Sequence, residues 1–250
     1  VIVTGGASGI GRAICMAFAD SGAHVTCLDI NIPDTAMLDR EIEFVRFDTS
    51  SDEDCLHAVE HVVEAQNAMD VLVNNAAIQP KDSYHQIDAL PREVADGMIA
   101  VNFAGYMRMA KNVLPHMRGQ GSGVIVNVAS GQAHRTAREV GLYGPIKSAN
   151  IMQARQWGVE YARNGIRVVS VSPGAIDTPM VRATLESQGG EAELANRHPL
   201  GRIGRADEVA AAVVWLSSRD AAFITATDLE VDGGLGAFGA FADPYPMGDE

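Results

Sequence analysis

The stretch GLYGPIKSAN (141–150) sets a tyrosine and a lysine, Tyr143 and Lys147, four residues apart. On a helix that spacing puts both side chains on one face, a turn from each other. A phenol with a pKa near 10 is a poor base at neutral pH. An ammonium one turn away stabilises the phenolate and lowers that pKa. The pair can therefore move a proton to or from a substrate hydroxyl, with Tyr143 as base in one direction and acid in the other. Thirteen residues upstream, Ser130 closes the run VNVAS. Its hydroxyl can hydrogen-bond the reacting oxygen and stabilise charge that develops there. Gly144 and Pro145, between the tyrosine and the lysine, are the two poorest residue types for a helix interior. They suit the pair if the helix starts within a residue or two of Tyr143, because the missing N–H of Pro145 then falls in the first turn.

A second constellation lies at the amino end. In TGGASGIGR (4–12), Gly5, Gly6, Gly9 and Gly11 follow a predicted strand and lead into a predicted helix. Glycines let the backbone turn tightly and approach a pyrophosphate, and the helix N-terminus supplies free N–H groups and positive potential. The spacing is T-G-x-x-x-G-x-G rather than G-x-G-x-x-G. Asp29 ends the next strand, eighteen residues after Gly11. A carboxylate there accepts hydrogen bonds from the ribose hydroxyls of an adenosine and repels a 2′-phosphate. Ser8 and Ile30 are not basic, although Arg12 lies in the turn. NAD is thus expected in preference to NADP, and with it oxidation in preference to reduction.

The elements that must position these groups are legible in the periodicity. VIVT (1–4), HVTCLD (24–29), FVRF (44–47), VLVN (71–74), GVIVNVAS (123–130), RVVSVS (167–172) and DLEVD (228–232) read as strands, most of them apolar on both faces. Ile10, Ala13, Ile14, Ala17 and Phe18 form a helical stripe, as do Val209, Ala212, Val213 and Leu216. Strands alternating with helices predict a parallel, doubly wound α/β sheet of about seven strands, helices on both faces, in one domain spanning 1–250. Residues 177–204, rich in Gly and Pro, read as a partly helical excursion, and 233–250 as a Gly/Pro-rich tail. The chain opens on VIVTGG, inside a predicted strand, so a natural start is expected several residues upstream.

The 250 residues carry a formal net charge of −13, which argues against nucleic acid or an anionic membrane as partner. Three cysteines, Cys15, Cys27 and Cys55, have no metal-type spacing and sit in apolar patterns, as expected of reduced thiols in a cytoplasmic protein. No run of 18 apolar residues occurs, which predicts a soluble chain. The run HAVEH (57–61) matches the H-x-x-E-H pattern of a zinc peptidase. Val59, Val62 and Val63 should face the sheet there, leaving His57, Glu60, His61 and Glu64 toward solvent, so no metal is expected.

TGGASGIG (4–11), Asp48 in FDTS, NNAA (74–77), Asn102 in VNFAG, Ser130, Tyr143 with Lys147, SPGAIDTPM (172–180) and VDGG (231–234) together resemble the short-chain dehydrogenase/reductase family over nearly the whole chain. The resemblance implies a Rossmann-type fold and hydride transfer between a secondary alcohol and a nicotinamide cofactor. It implies that Lys147 also grips the nicotinamide ribose and that Asn102 holds a water linking Lys147 to solvent. By the same resemblance Gly5, Ser8, Gly9, Ile10, Gly11, Asp29 and Ile30 bind the cofactor, and Asp48 and Thr49 bracket its adenine. Asn75, Ala76 and Ala77 pass its ribose, while Pro173, Gly174, Ile176 and Thr178 line the carboxamide. It implies a homotetramer packed through helices around 103–118 and 143–163. From position alone, Gln79, Gln132, His134 and Met180 are candidates for the substrate pocket, and Arg135 and Arg138 read as solvated loop charges. The polar lining favours a polyol, sugar or cyclic diol. Two other readings stay open: an NADPH-dependent carbonyl or 3-oxoacyl reductase, and a dinucleotide-binding protein without catalysis. The aromatic tail (Phe238, Phe241, Tyr245) is expected to close over a neighbouring subunit's pocket.

Overall fold

The structure is a computed structural model that describes residues 1–40, 42–186 and 189–239. The strands are β1 (Ile2–Thr4), β2 (Thr26–Asp29), β3 (Glu43–Arg46), β4 (Val71–Asn74), β5 (Gly123–Val128), β6 (Ile166–Pro173) and β7 (Asp228–Val231). Among the described residues they form one sheet in the order β3-β2-β1-β4-β5-β6-β7, every pair parallel. The helices are α1 (Gly9–Asp20), α2 (Thr35–Leu38), α3 (Asp52–Gln66), α4 (Arg92–Met98), α5 (Gly105–Gln120), α6 (Tyr143–Tyr161), α7 (Pro179–Arg182), α8 (Gly190–Asn196) and α9 (Ala206–Ser217).

Alternation along each strand feeds two cores. Val3, Val73, Val126 and Val169 pack under α1 and α9, while Ile2, Leu72, Ile125 and Val168 pack under α3, α5 and α6. All eight side chains are fully buried. Each contributes about 1.5–3 kcal/mol relative to exposure, which is why both faces of these strands are predominantly apolar. Every segment predicted as a strand is one, with each end within two residues of its predicted place. The order of strands reverses between β1 and β4, and the carboxyl ends of the two diverge there into a crevice. That crevice is where an open α/β sheet binds ligands.

HAVEH lies on α3, with Val59 and Val62 buried, Val63 partly so, and His57, Glu60, His61 and Glu64 exposed. His61 Nε2 meets Glu43 Oε1 at 2.6 Å. The three cysteines are free thiols and buried. The excursion is partly helical, as expected, through α7 and α8. Of the tail, residues 233–237 form turns after β7, and Arg135 Nη1 donates to Phe238 O. Phe241 and Tyr245 lie outside the described residues.

Candidate active site

Helix α6 begins at Tyr143, and its first helical bond runs from Ile146 N to Leu142 O at 3.1 Å. Pro145 is therefore in the first turn, where an absent N–H costs nothing. Gly144 has a steric reason as well. A Cβ there would sit 2.9 Å from Gln132 O, so only glycine lets α6 start this close to the loop that follows Ser130. Glycine and proline set the helix origin and its approach to Ser130, rather than breaking a helix.

Tyr143 is 9% exposed and Lys147 1%. Ser130 lies close enough to Tyr143 for its hydroxyl to pull the phenol pKa down, and it accepts from Gln132 N at 3.1 Å. Lys147 Nζ donates to Val128 O at 2.8 Å and to Tyr106 Oη at 3.3 Å, and stands 5.7 Å from the centre of the Tyr143 ring. The expected lowering of the phenol is not what the protein alone displays. Burial pushes Tyr143 up to about 12, with Tyr84 adding to the rise and Ser130 pulling it back. Burial likewise brings Lys147 down to about 7. Spacing puts the ammonium near the ring, but desolvation outweighs it for both groups.

Asn102 lies in a π-helical segment, Ile99–Ala104, that joins α4 to α5. Such bulges re-aim a side chain within an otherwise regular helix. Its amide clamps both backbone groups of Ile78, accepting from N and donating to O at 2.8 Å each. Its own carbonyl accepts from Asn150 Nδ2 at 3.0 Å. The side chain thus fastens the segment after β4. A buried chain of amides continues behind it, from Asn150 O to Asn127 Nδ2 at 3.2 Å and from Asn127 Oδ1 to Asn74 Nδ2 at 3.0 Å.

Across the crevice the glycine turn is laced to the segment after β4. Thr4 Oγ1 accepts from Asn75 N and Ala76 N, and Asn75 Nδ2 donates to the carbonyls of Thr4 and Gly5, all between 3.0 and 3.1 Å. Gly5 has φ +64°, and a Cβ on Gly11 would lie 2.0 Å from Gly5 O. Ser8 occupies the N-cap position of α1 without a side-chain capping bond. The first N–H groups of α1, from Gly9, Ile10 and Gly11, thus stand at a cradle that a side chain would fill. The residues present fit the pyrophosphate of a dinucleotide. Thr178 stands over Gly9, its methyl 3.4 Å from where a side chain there would begin.

Asp29, 8% exposed, accepts from Ala7 N at 3.0 Å and from Asn31 N at 2.9 Å, which orients it at the end of β2. Ile30 beside it is exposed. Arg12 is engaged elsewhere, its Nε 2.7 Å from Asp34 Oδ2. Asp48 is exposed after β3, its Oδ1 accepting from Ser50 N and Oγ, and Thr49 is buried beside Gly105. Pro173 ends β6, and Gly174, Ala175 and Ile176 lead on to Thr178. His198 pins this segment: its Nε2 accepts from Ala175 N at 3.1 Å while Nδ1 donates to Leu194 O at 2.9 Å. A lone histidine in a Gly/Pro-rich excursion carries no sequence signal for that task.

The substrate candidates are placed unevenly. Gln79 Nε2 and Gln132 Oε1 are buried without a hydrogen-bond partner, a donor and an acceptor left for a ligand. His134 is committed to Asp228, with Nε2 2.8 Å from Oδ2; Asp228 opens β7 but lies in register with Ser170, Asn127 and Asn74, near the carboxyl ends of β5 and β4. Met180 is partly exposed on α7. A hydrogen bond joins Tyr84 to Thr184, so the excursion reaches the wall formed by Tyr84, Met98, Val140 and Tyr143. A cavity of about 490 Å³, lined by Gln132, His134, Arg135 and Gly144 among others, lies on the flank of α6 beside the Tyr143–Lys147 face.

The family model described as enoyl-(acyl carrier protein) reductase matches residues 5–236. The 2-(R)-hydroxypropyl-CoM dehydrogenase of Xanthobacter autotrophicus is 35% identical over 93% of this chain and 96% of its own. The ligand-free aldohexose dehydrogenase of Thermoplasma acidophilum superposes with a TM-score of 0.90 at 34% identity, covering 98% of this chain and 96% of that one. A 3-ketoacyl-(acyl-carrier-protein) reductase from Brucella melitensis, complexed with NADH, has a TM-score of 0.85 at 30% identity over 94% of this chain and 97% of its own. ElxO, with NADP bound, has a TM-score of 0.88 at 28% identity over 95% and 98%. With a glycine cradle, a Rossmann-type sheet and a Ser–Tyr–Lys cluster at its carboxyl edge, the chain belongs to the short-chain dehydrogenase/reductase family.

Proposed function

We propose that this oxidoreductase transfers a hydride between a secondary alcohol and NAD, with Tyr143, Lys147, Ser130 and Asn102 as its working residues. The observation that carries the reading is the cluster of Ser130 beside Tyr143, with Lys147 Nζ one turn deeper and 5.7 Å from the centre of the Tyr143 ring, on the loop and helix that follow β5 in the same sheet as the glycine cradle. When bound, the nicotinamide accepts or returns the hydride. Ser130 holds the reacting oxygen, and Tyr143 removes or supplies its proton. Lys147 favours the phenolate, and Asn102 would hold a water that links Lys147 to solvent and carries the proton out. Gly5, Ser8, Gly9, Ile10 and Gly11 hold the pyrophosphate, and Asp29 the adenosine ribose. Asp48, Thr49 and the 75–77 segment border the adenine side; Pro173, Gly174, Ile176 and Thr178 border the carboxamide.

NAD is favoured because Asp29 is oriented by two backbone N–H groups toward the crevice and Arg12 is held by Asp34. Arg12 lies on the side of NADP, and with it of the reductase reading, as does similarity to ElxO, with NADP bound. The open donor on Gln79 and acceptor on Gln132 suit a substrate with several hydroxyls, a polyol, sugar or cyclic diol. Similarity to an aldohexose dehydrogenase points the same way. We read the chain as one cytoplasmic domain that assembles with copies of itself, because Met107 on α5 and Met152 and Val159 on α6 expose apolar side chains. A turnover screen of secondary alcohols and sugars with NAD and NADP, run beside Tyr143→Phe, tests the proposal. The variant should lose 10²–10⁴-fold in kcat, the usual contribution of a positioned acid or base. Equal turnover by parent and variant on the best substrate would overturn the mechanism, and only a parent that binds the dinucleotide without turning over any substrate would leave the non-catalytic reading.

A further inference from the structure

Tyr106 belongs to none of the groups discussed so far as reactants, yet its side chain is fully buried against one of them. It enters from α5, two residues into that helix. Its Oη donates to Val128 O at 2.9 Å, and the same oxygen receives an N–H of Lys147 at 3.3 Å. Lys147 Nζ in turn donates to Val128 O at 2.8 Å, closing a three-membered ring of hydrogen bonds among β5, α5 and α6. The ammonium also stands 5.2 Å from the centre of the Tyr106 ring, closer than to that of Tyr143. The backbone of Tyr106 is fixed as well, its carbonyl accepting from Asn74 Nδ2 at 3.4 Å.

We infer that Tyr106 is the positioning residue for Lys147: its hydroxyl, braced by the Val128 carbonyl, holds the charged Nζ under the Tyr143 ring. The inference rests on the reading of Tyr143 and Lys147 as the proton-transfer pair. An ammonium has three donors and must place them to stay charged in a dry site. Val128 O takes one and Tyr106 Oη a second. The groups facing Lys147 are Tyr143 on its own helix, Tyr106 from α5 and a neutral carbonyl from β5. Tyr84 acts on Tyr143 rather than on Lys147, and burial is the one cause acting on the lysine. Tyr106 is itself held protonated by burial, so it remains a donor to Val128 and an acceptor from Lys147 across the working pH range.

Removing the hydroxyl disfavours the ammonium, and fewer molecules then carry the phenolate–ammonium pair at a given pH. The test is the pH profile of kcat/KM for alcohol oxidation in Tyr106→Phe and Tyr106→Leu, with NAD affinity and thermal unfolding measured alongside. Phe keeps the ring face and most of the volume; Leu removes both ring and hydroxyl. In Tyr106→Phe the rising limb should move to higher pH by about one unit, an activity loss of about tenfold at pH 7, with the alkaline plateau and NAD affinity kept. Tyr106→Leu should show at least the same displacement. A Phe profile that superimposes on the parent overturns the inference, whatever Leu does, because the ring alone would then suffice. A lowered plateau with an unmoved limb also overturns it, since that is the mark of a packing role. Failure of the underlying pair reading shows separately, as retained activity in Tyr143→Phe.

Discussion

Replacing Lys147 with methionine is expected to stabilise the folded protein at neutral pH while abolishing turnover. Lys147 is 1% exposed, and burial alone takes it from the ordinary lysine value of 10.5 to about 7. At about 1.4 kcal/mol per pH unit, that fall corresponds to about 5 kcal/mol of folding free energy opposed by this one group at and below pH 7. Methionine matches the lysine stem in volume and needs no hydrogen bond. The change forgoes the donors to Val128 O and Tyr106 Oη, a loss of about 1–3 kcal/mol softened because Val128 O keeps the Tyr106 hydroxyl. The net expectation is a gain of about 2–4 kcal/mol at pH 6–7. The pH dependence follows from proton binding. Between about 7 and 10.5 the unfolded chain keeps the lysine proton and the folded chain has released it, so parental stability rises with pH in that window. The variant has no such group, and its advantage should shrink by about 1.4 kcal/mol per unit from pH 7 upward. Tyr143 and Cys55, both raised to about 12, titrate later and are common to both proteins, so they cancel in the difference. Urea unfolding followed by circular dichroism at pH 6, 7.5 and 9 measures the gap. A gap that stays constant with pH, or a variant less stable throughout, refutes the claim that a desolvated lysine sits in this core at the expense of stability.

Two further outcomes follow from the site geometry. Asp34 holds Arg12 at 2.7 Å and also caps α2 by accepting from Met37 N at 3.2 Å. Asp34→Ser keeps a capping oxygen and frees the guanidinium, so kcat/KM with NADP should rise about tenfold relative to NAD; an unchanged ratio shows that Arg12 does not reach the 2′-position. Gly144→Ala brings a Cβ to 2.9 Å from Gln132 O and pushes the start of α6 away from Ser130. It should lower kcat by tenfold or more and shift Tm by only a few degrees, since alanine is itself a better helix former; full activity would mean that the approach of α6 to this loop is slack.

The strands and the origin of α6 were legible in the sequence because each is dictated by neighbours in the chain. Strands buried on both faces must be apolar runs, and a proline can follow Tyr143 so closely only at a helix start. The settings of Asn102, Tyr106 and His198 are dictated by residues far away. Asn102 meets Ile78, Tyr106 meets Val128, and His198 meets Ala175, each more than 20 positions apart. No local window contains such pairs, and a π turn leaves no periodic signature. The protonation of the site illustrates the same division. A spacing of four residues places Lys147 one turn from Tyr143, and from charge alone a lowered phenol pKa follows. The sign of the actual shift is set by dielectric, and the low dielectric is built by side chains drawn from Tyr84, Met98, Val140 and Ile146 around Tyr143 and by Tyr106 and β5 around Lys147. With burial holding the phenol protonated and bringing the lysine to about 7, each group of the pair sits in its less charged form more readily than it would in water. Any positive charge brought into this cleft is then felt strongly, because little water is present to screen it. The walls therefore belong to the acid–base apparatus as much as Tyr143 and Lys147 do, and substitutions at Met98 or Val140 that admit water should blunt the response of Tyr143 to charge without touching either reacting side chain.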